Sequence, residues 1–335
     1  MAELSFKDFA TDQEVRWCPG CGDYSILKGV QRALADQGAK PENTVFVSGI
    51  GCASRLPYYI NTYGFHTIHG RAPAFATGVK LANPELDVWV VTGDGDGLSI
   101  GGNHLLHALR RNIDLNILLF NNEIYGLTKG QYSPTSRIGT TSPSTPGGSV
   151  DHPVIPGLFA VGAGATFIAR AVDIDQKGLP GLLNQASQHK GAAFIEILQN
   201  CIVYNKDVFD NVSNKKTAAD HQIHVHHGEP LRYGKDGCKG IRLNTKTLRL
   251  EAVTVDECDP RKGVPVEDLL VHDETNAALA QMLLTMESPL PMAFGVIHRV
   301  AKATFETSFW NAKSKGRREK ITHLLQQGTT LDRRK

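Results

Sequence analysis

Two polar side chains that suit magnesium stand at the ends of successive apolar segments. Asp94 lies in the glycine-rich stretch Gly93–Gly97 after the apolar run Val88–Val91, and Asn122 follows the apolar run Ile117–Phe120. A carboxylate, an amide oxygen and a nearby backbone carbonyl are hard ligands of the kind that octahedral Mg²⁺ prefers. Glycines let backbone amides approach a phosphate closely. The stretch predicts a magnesium-bound phosphate site, and its alternative is an ordinary strand-to-helix turn followed by capping asparagines.

Four cysteines are a second candidate for chemistry. Cys18 and Cys21 flank a Pro-Gly turn, so their thiolates can reach one metal centre. This pair alone fits zinc, a redox disulfide or an iron–sulfur cluster equally well. Cys52 and Cys201 each come shortly after a predicted strand. A free cysteine such as Cys52 is otherwise most often a small buried hydrophobe.

Alternating strand and helix patterns position these side chains. Parallel strands of such a βα alternation place their carboxyl ends at one edge of the sheet. Cys52, Asp94, Asn122 and Cys201 all follow strands, and Cys18 and Cys21 can join the two other cysteines from a loop. We therefore expect a four-thiolate centre beside the phosphate site. The predicted strands are Thr44–Ser48, Val88–Val91, Ile117–Phe120, Ala165–Arg170 and Ala193–Leu198, and the predicted helices are Asp23–Gln37, Pro73–Leu81, Gly157–Gly162 and Gly178–His189.

Composition limits the class of protein. The chain has 335 residues, of which 41% are hydrophobic, enough for one large domain with or without an appendage. A formal net charge of +2 indicates attraction to neither nucleic acid nor a membrane. The amino terminus lacks a secretory pattern and no apolar run would span a bilayer, so we expect a cytoplasmic protein. Six cysteines in that compartment favour metal or redox work over a disulfide framework.

The chain divides into three predicted parts. Residues 1–16 form an arm, residues 17–215 form the domain that holds the phosphate site and the four cysteines, and residues 216–335 form an extension or interface region. In this extension a hairpin is predicted at Ile241–Val255 and a helical pattern at Val264–Met286. The tail Ser314–Lys335 is predicted to be a solvated, charged helix and end.

Three further segments are ambiguous. Cys238 and Cys258 are interpreted as non-ligands because they lie in a region of different character. The histidine cluster between His221 and His227 lacks a cysteine or carboxylate at ligand spacing, so a lid or interface is favoured over a metal site. The segment Gln131–Pro156 is too long for a plain connector, and an active-site cover or a surface insertion fits it about equally well.

The motifs together carry a family resemblance. CPGCGD at Cys18, GIGCASR around Cys52, HGRA at His69, GDGDG at Asp94, NNEIYGLTKGQ at Asn122 and NC at Cys201 stand in the order found in one family. The GDG and NN pair resembles the thiamine diphosphate motif. Over about residues 14–240 the chain resembles the beta subunit of the 2-oxoacid:ferredoxin oxidoreductases. This implies an α/β thiamine diphosphate-binding fold, a parallel sheet flanked by helices, with a C-terminal extension.

The resemblance implies an activity and partners. The reaction would be the reversible, coenzyme A-dependent oxidative decarboxylation of a 2-oxoacid, with electrons passing through a [4Fe–4S] cluster to ferredoxin. A separate alpha subunit would complete the cofactor site, in an assembly of two alpha and two beta chains. The wording GDGDGLSIGGNHLLHALRRN is most similar to the 2-oxoglutarate type. The alternatives are pyruvate or broad 2-oxoacid specificity, a non-redox thiamine diphosphate decarboxylase or carboligase subunit, and a zinc-stabilised partner module.

The resemblance also implies roles for individual residues. His69 would contact the diphosphate or the reacting carboxylate. Arg55 stands where some relatives have lysine, and it would contact the distal carboxylate of 2-oxoglutarate or a phosphate of coenzyme A; a structural salt bridge is the alternative. The implied Mg²⁺ ligands are Asp94, Asn122 and the carbonyl of Ile124, the cluster ligands are Cys18, Cys21, Cys52 and Cys201, and the implied cofactor contacts are Gly51, Cys52, His69, Gly93, Asp94, Gly95, Asp96, Asn122, Leu127 and Thr128.

Overall fold

The computed structural model describes residues 4–313, so the predicted helix in the tail Ser314–Lys335 lies outside the described residues. The strands are β1 Thr44–Ser48, β2 Tyr63–His66, β3 Asp87–Gly93, β4 Leu115–Asn121, β5 Phe167–Val172, β6 Ala192–Leu198, β7 Gln222–Val225, β8 Arg232–Tyr233, β9 Lys239–Asn244, β10 Arg249–Thr254 and β11 Met292–Arg299. The helices are α1 Asp23–Asp36, α2 Ala72–Ala82, α3 Asp94–Leu98, α4 Gly102–Arg110, α5 Pro156–Gly162, α6 Gly178–Gln188, α7 Asp210–Ser213, α8 Ala218–His221 and α9 Ala277–Leu284, and residues 305–313 are also helical.

One eight-stranded sheet organises the chain. Its strand order is β2-β1-β3-β4-β6-β5-β11-β7, and all neighbours are parallel except β11, which runs antiparallel to β5. The predicted sheet with flanking helices is therefore confirmed. From β1 the chain crosses to β2 on one side, whereas β3 lies on the other side of β1 and leads to β4. Ligands of such sheets bind where the direction of winding reverses.

Alternate residues of the central strands face opposite helical layers. Phe46 and Trp89 belong to a core that includes residues of α1 and α6. Their neighbours Val47 and Val90 belong to a core that includes residues of α2, α4 and α5. Burying one large apolar side chain stabilises a fold by about 1.5–3 kcal/mol. Because helices cover both faces of the sheet, the functional site is expected in the loops at the strand ends.

Several predicted boundaries need correction. The helical pattern at Val264–Met286 is wrong for most of its length, since only α9 is α-helical there. Asn276 begins this helix by accepting hydrogen bonds from the backbone amides of Ala278 and Leu279, which explains why it starts so late. Strands β2, β7 and β11 have no counterpart in the sequence analysis, and β7 and β11 join the main sheet from the predicted extension.

The predicted hairpin in the extension is confirmed, but its cysteines differ from expectation. Strands β9 and β10 pair antiparallel, and β8 adds a third strand to this small sheet. Cys238 and Cys258, at the two ends of the hairpin, form a disulfide. The expectation of metal or redox work in place of disulfides is therefore wrong for this pair. The bond agrees with their interpretation as non-ligands.

The amino-terminal arm packs on the body of the protein. Phe9 is fully buried in the core that contains α1, and Ala10 pairs with Ile60 in a short bridge. Within residues 4–313, none of the helices is both long enough and apolar enough to span a membrane.

Candidate active site

Asp94 is the most deeply buried of the predicted magnesium ligands. It begins α3 directly after β3 and is 2% exposed. Its Oδ2 accepts hydrogen bonds from Ser133 Oγ at 2.5 Å and from Thr135 Oγ1 at 2.6 Å. Burial raises the pKa of the Asp94 carboxyl to about 6, although the two hydroxyl hydrogen bonds oppose this rise. A cation beside the carboxylate would compensate the cost of burying its charge.

Asn122 directly follows β4, and its side-chain amide has a fixed orientation. Its Oδ1 accepts a hydrogen bond from the backbone amide of Ile124 at 3.2 Å, and its Nδ2 donates to Gln199 Oε1 at 2.8 Å. An amide oxygen has two lone pairs, so the bond from Ile124 leaves one for a metal ion. The carboxylate, the amide oxygen and the Ile124 carbonyl therefore fit the chemistry that Mg²⁺ requires.

These ligands line a cavity of about 220 Å³ where the loops after β1, β3 and β4 meet. The cavity brings together all the residues that the sequence assigns to the cofactor. Their individual roles stay predictions. The assigned residues along its wall are Gly51, Cys52, His69, Gly93, Asp94, Gly95, Asp96, Asn122, Ile124, Leu127 and Thr128.

Arg55 lies outside this cavity, in a neighbouring one of about 420 Å³ that shares Gly51 and Leu127 with it. Arg55 belongs to a 3₁₀ helix, Ala53–Tyr58, and its guanidinium donates to the carbonyl of Arg16 at 3.4 Å. Within residues 4–313, Arg55 forms no ion pair with a carboxylate. Arg55 thus lies beside the cofactor cavity, and it also lines the cavity of the four free cysteines described next.

Cys18, Cys21, Cys52 and Cys201 are free thiols that line one further cavity, of about 210 Å³. A Cβ atom added at Gly126 would lie 3.6 Å from Cys201 Sγ and 3.7 Å from Cys52 Sγ, so this glycine lies close to both sulfurs. Burial raises the pKa of the Cys52 thiol to about 12 and also raises that of Cys21. Such thiols become good ligands only beside a strongly positive centre. The four sulfurs fit the ligand set of a [4Fe–4S] cluster.

The sulfurs do not converge on one point. Among residues 4–313, no three His, Cys, Asp or Glu side chains are grouped so that they could hold a single metal ion. In a [4Fe–4S] cluster each cysteine binds a different iron, so the ligands surround the cluster. The predicted magnesium site has only one carboxylate among its protein ligands.

The histidines between His221 and His227 do not line one common cavity. His221 lines one cavity, whereas His224, His226 and His227 line another.

The cofactor cavity and the cysteine cavity share a wall. Cys52, Asn122, Gly126 and Leu127 line both. Asn122 and Cys52 thus face both of the centres that the sequence predicts. Strands β1, β3, β4 and β6 are consecutive in the sheet, so their carboxyl ends bring the two cavities to one edge.

Comparison with known proteins identifies the family. Residues 49–197 match the thiamine pyrophosphate enzyme, C-terminal TPP binding domain. The chain is 51% identical over 304 residues to 2-oxoglutarate oxidoreductase subunit KorB of Mycobacterium tuberculosis, covering 90% of this chain and 79% of that protein. The chain belongs to the beta subunits of the 2-oxoacid:ferredoxin oxidoreductases. The predicted resemblance and thiamine diphosphate fold are both confirmed.

Two other proteins agree with this assignment. The beta subunit is 48% identical over 205 residues to 2-oxoacid:ferredoxin oxidoreductase 1, subunit beta, of Aeropyrum pernix, covering 61% of this chain and 64% of that protein. A solved 2-oxoglutarate:ferredoxin oxidoreductase from Magnetococcus marinus, with 2-oxoglutarate, coenzyme A and succinyl-CoA bound, is similar with a TM-score of 0.78 and 31% identity. That match covers 98% of this chain and 97% of the other.

Asp96 of the beta subunit braces the site through bonds to other loops. Its Oδ1 accepts from the backbone amides of Ile50 and Gly70 at 3.2 and 2.7 Å, and its Oδ2 accepts from Thr92 Oγ1 at 2.7 Å. These bonds tie the loops after β1 and β2 to α3. Asp96 therefore has a structural role in addition to its predicted contact with the cofactor.

Sequence reasoning missed the side chains that hold Asp94 and Asn122, the predicted Mg²⁺ ligands, in place. Ser133 and Thr135 lie in the long segment Gln131–Pro156 and are 2% and 5% exposed. Because both bond to Asp94, this part of the segment belongs to the site rather than to a surface insertion. Gln199, which bonds to Asn122, was also missed. Isolated polar residues in an irregular segment carry no periodic signal, although closeness to Cys201 in sequence was a clue for Gln199.

Gly95 provides a test of how tightly the cofactor cavity is built. A Cβ atom at position 95 would lie 2.2 Å from Cε1 of Tyr125, whose hydroxyl donates to the Gly95 carbonyl at 3.2 Å. We expect Gly95→Ala to displace the tyrosine ring and to weaken binding of Mg²⁺–thiamine diphosphate about tenfold, the loss typical of disturbed supporting contacts. Calorimetric titration of the assembled enzyme measures this affinity.

Gly78→Ala is the matched control for that variant. Gly78 is exposed on α2, and a Cβ atom there meets nothing within 4 Å. It should leave the affinity unchanged and stabilise the fold by about 0.5–1 kcal/mol, because alanine favours a helix over glycine. Equal affinities in Gly95→Ala and the control would show that Tyr125 gives way without cost.

Proposed function

We propose that this beta subunit carries a [4Fe–4S] cluster and the diphosphate half of a thiamine diphosphate site. The enzyme it belongs to converts 2-oxoglutarate, coenzyme A and oxidised ferredoxin to succinyl-CoA, CO₂ and reduced ferredoxin, and the reaction is reversible. The observation that supports it best is the shared wall between the cofactor cavity and the cysteine cavity. A decarboxylase without electron transfer has no use for four free thiols around one cavity at this position.

The residues of this chain would act by holding and orienting the groups. Thiamine diphosphate supplies the decarboxylation chemistry, and the cluster accepts electrons one at a time. Asp94, Asn122 and the Ile124 carbonyl would hold Mg²⁺, and the amide of Gly95 would face the diphosphate. His69, which is exposed at the cavity wall, would contact the diphosphate or the substrate carboxylate.

A second chain would complete the site. Ile100 and Leu127 line the cofactor cavity yet are 57% and 49% exposed, and Ile68, next to His69, is 63% exposed. Exposed apolar side chains around an open cavity are typical of a surface that another protein covers. We therefore propose an alpha subunit at this mouth, in an assembly of two alpha and two beta chains.

Substrate choice is tested most directly by activity. The beta subunit is purified anaerobically with its alpha partner, and reduction of a viologen dye is followed with 2-oxoglutarate, pyruvate and 2-oxobutyrate in the presence of coenzyme A. The proposal expects the highest kcat/KM for 2-oxoglutarate. Preference for pyruvate, or equal rates, would instead support the broad specificity considered above, and product formation without dye reduction would support a non-redox carboligase.

Arg55 is proposed to bind the anionic end of a substrate in the cavity beside the cofactor. Losing a hydrogen bond to a charged group costs about 1.5–3 kcal/mol, so Arg55→Ala should raise one KM roughly 10- to 100-fold. A rise for 2-oxoglutarate but not for pyruvate would identify the distal carboxylate as the ligand. A rise for coenzyme A with every 2-oxoacid would identify a phosphate.

Two variants control that experiment. Arg55→Lys keeps the charge but loses the planar fork, so partial rescue is expected. Arg249→Ala removes an exposed arginine from β10 and should change no kinetic constant. Unchanged KM values for 2-oxoglutarate and coenzyme A in Arg55→Ala would return Arg55 to a structural role.

A further inference from the structure

Gln199 stands between the two predicted centres. It directly follows β6, is 1% exposed, and its backbone amide donates to the Asn121 carbonyl at 2.8 Å, which extends the pairing of β6 with β4. Gln199 also lines the cysteine cavity. The sheet itself therefore fixes where this side chain begins.

The side chain of Gln199 bonds to one residue of each centre. Its Oε1 accepts from Asn122 Nδ2 at 2.8 Å, and its Nε2 donates to Cys21 Sγ at 3.1 Å. A chain of two hydrogen bonds thus connects a proposed magnesium ligand to a proposed cluster ligand. Cys21 and Asn122 are joined in this way by one side chain.

Backbone groups decide the orientation of both amides. Gln199 Nε2 also donates to the Asn200 carbonyl at 2.8 Å, and a carbonyl can only accept. Asn122 Oδ1 receives the Ile124 amide, which can only donate. Exchanging O and N in either side chain would place two donors or two acceptors face to face. The donors and acceptors of the hydrogen-bond chain, from Asn122 through Gln199 to Cys21, are therefore fixed.

We propose that Gln199 is a positioning residue that orients Asn122 toward the metal and adjusts the reduction potential of the cluster through Cys21. This inference rests on the proposed function above. A polar side chain that is 1% exposed is costly unless its hydrogen bonds are used. A leucine of similar size would fill the space without this cost.

Each bond has its own consequence. An N–H group directed at a ligating sulfur stabilises added negative charge, so it favours the reduced cluster and raises its potential. The bond to Asn122 occupies Nδ2 and so keeps Oδ1 as the atom offered to Mg²⁺. Through these two bonds Gln199 influences both the electron acceptor and the cofactor site.

Two substitutions separate these effects in the assembled enzyme. Gln199→Leu removes both hydrogen bonds. Gln199→Glu, as a carboxylate, still accepts from Asn122 but donates neither to Cys21 nor to the Asn200 carbonyl. Gln185→Leu, at an exposed position on α6, is the control for the same chemical change. The readouts are iron content, the midpoint potential from an EPR-monitored redox titration, and the affinity for Mg²⁺ in the presence of thiamine diphosphate.

The expected results differ between the variants. In both Gln199 variants the ratio of reduced to oxidised cluster at a fixed potential should fall about tenfold, which is about 59 mV for a one-electron couple. The Mg²⁺ affinity should fall about tenfold in Gln199→Leu, as for other supporting partners of a metal ligand. It should stay close to the wild-type value in Gln199→Glu. Gln185→Leu should match the wild type in every readout.

The outcomes that overturn the inference are distinct from those that overturn the proposed function. A wild-type enzyme without iron refutes the proposed function and the inference with it. A wild-type enzyme with a cluster whose potential is the same in both Gln199 variants refutes the inference alone. An Mg²⁺ affinity unchanged in Gln199→Leu, which can be measured whether or not the cluster assembles, also refutes it.

Discussion

Replacing Cys201 with alanine is expected to abolish ferredoxin reduction while leaving the fold intact. Cys201 follows β6 and faces the same cavity as Cys18, Cys21 and Cys52. A [4Fe–4S] cluster needs four protein ligands, so loss of one should leave about three irons or none. We expect iron per chain to fall and 2-oxoacid-dependent dye reduction to drop by about a hundredfold or more, at or beyond the upper end of the tenfold to hundredfold loss typical of an outer-shell change.

A double variant provides the control for this result. Cys238→Ala/Cys258→Ala removes the disulfide-bonded pair without leaving a lone thiol. Loss of a disulfide typically costs about 2–4 kcal/mol, so its melting temperature should fall while its iron content stays at the wild-type level. Full iron content and activity in Cys201→Ala would rule out the proposed cluster ligand.

The second large effect is expected at Asp94. Asp94→Asn keeps the size of the side chain but removes the charge that Mg²⁺ requires. Affinity for Mg²⁺–thiamine diphosphate should fall about a hundredfold or more, since even outer-shell changes cost 10- to 100-fold. Calorimetric titration of the assembled enzyme with the cofactor measures the loss directly.

Stability separates this functional loss from misfolding. Burial raises the pKa of Asp94 to about 6. At neutral pH the carboxylate is therefore ionised, and burying its charge lowers the stability of the metal-free fold. Asp94→Asn should therefore melt no earlier than the wild type when Mg²⁺ and cofactor are absent. Asp36→Asn, at an exposed position in α1, serves as the control and should bind normally. Normal cofactor affinity in Asp94→Asn would exclude Asp94 as a metal ligand.

Buried parallel strands were the most predictable part of the fold. The sequence predicts Thr44–Ser48 with the bounds that the structure has, and it places Asp94, Asn122 and Cys201 after strand ends. Strands buried on both faces read as continuous apolar runs, which makes their ends visible. Their common direction then requires the ends to meet at one edge. This is why the two cavities could be expected to adjoin.

Elements without such runs were missed for physical reasons. Strand β11 contains a β-bulge between Val296 and His298 and a glycine at 295 with a φ of 99°, so the alternation that marks a strand is interrupted. Strand β2 is exposed along its length and lies at the sheet edge. The Cys238–Cys258 bond was missed because cysteine spacing does not reveal pairing.

The supporting residues of the site were also beyond sequence reasoning. Ser133 and Thr135 reach Asp94 from 39 and 41 residues away, in a segment without periodicity. The bonds of Gln199 depend on the register of β6 against β4, which the sequence does not specify. A motif identifies the ligands, whereas the shell that orients them is set by the tertiary structure.

The central claim is that a magnesium-bound thiamine diphosphate and a four-cysteine cluster share one edge of the sheet. EPR spectroscopy of the anaerobically purified enzyme, before and after addition of 2-oxoglutarate, tests it most directly. We predict about four irons per beta chain and a reduced-cluster signal that develops on addition of substrate only when thiamine diphosphate and Mg²⁺ are present. A beta subunit without iron, or a cluster that 2-oxoglutarate leaves oxidised in the complete enzyme, would contradict the claim.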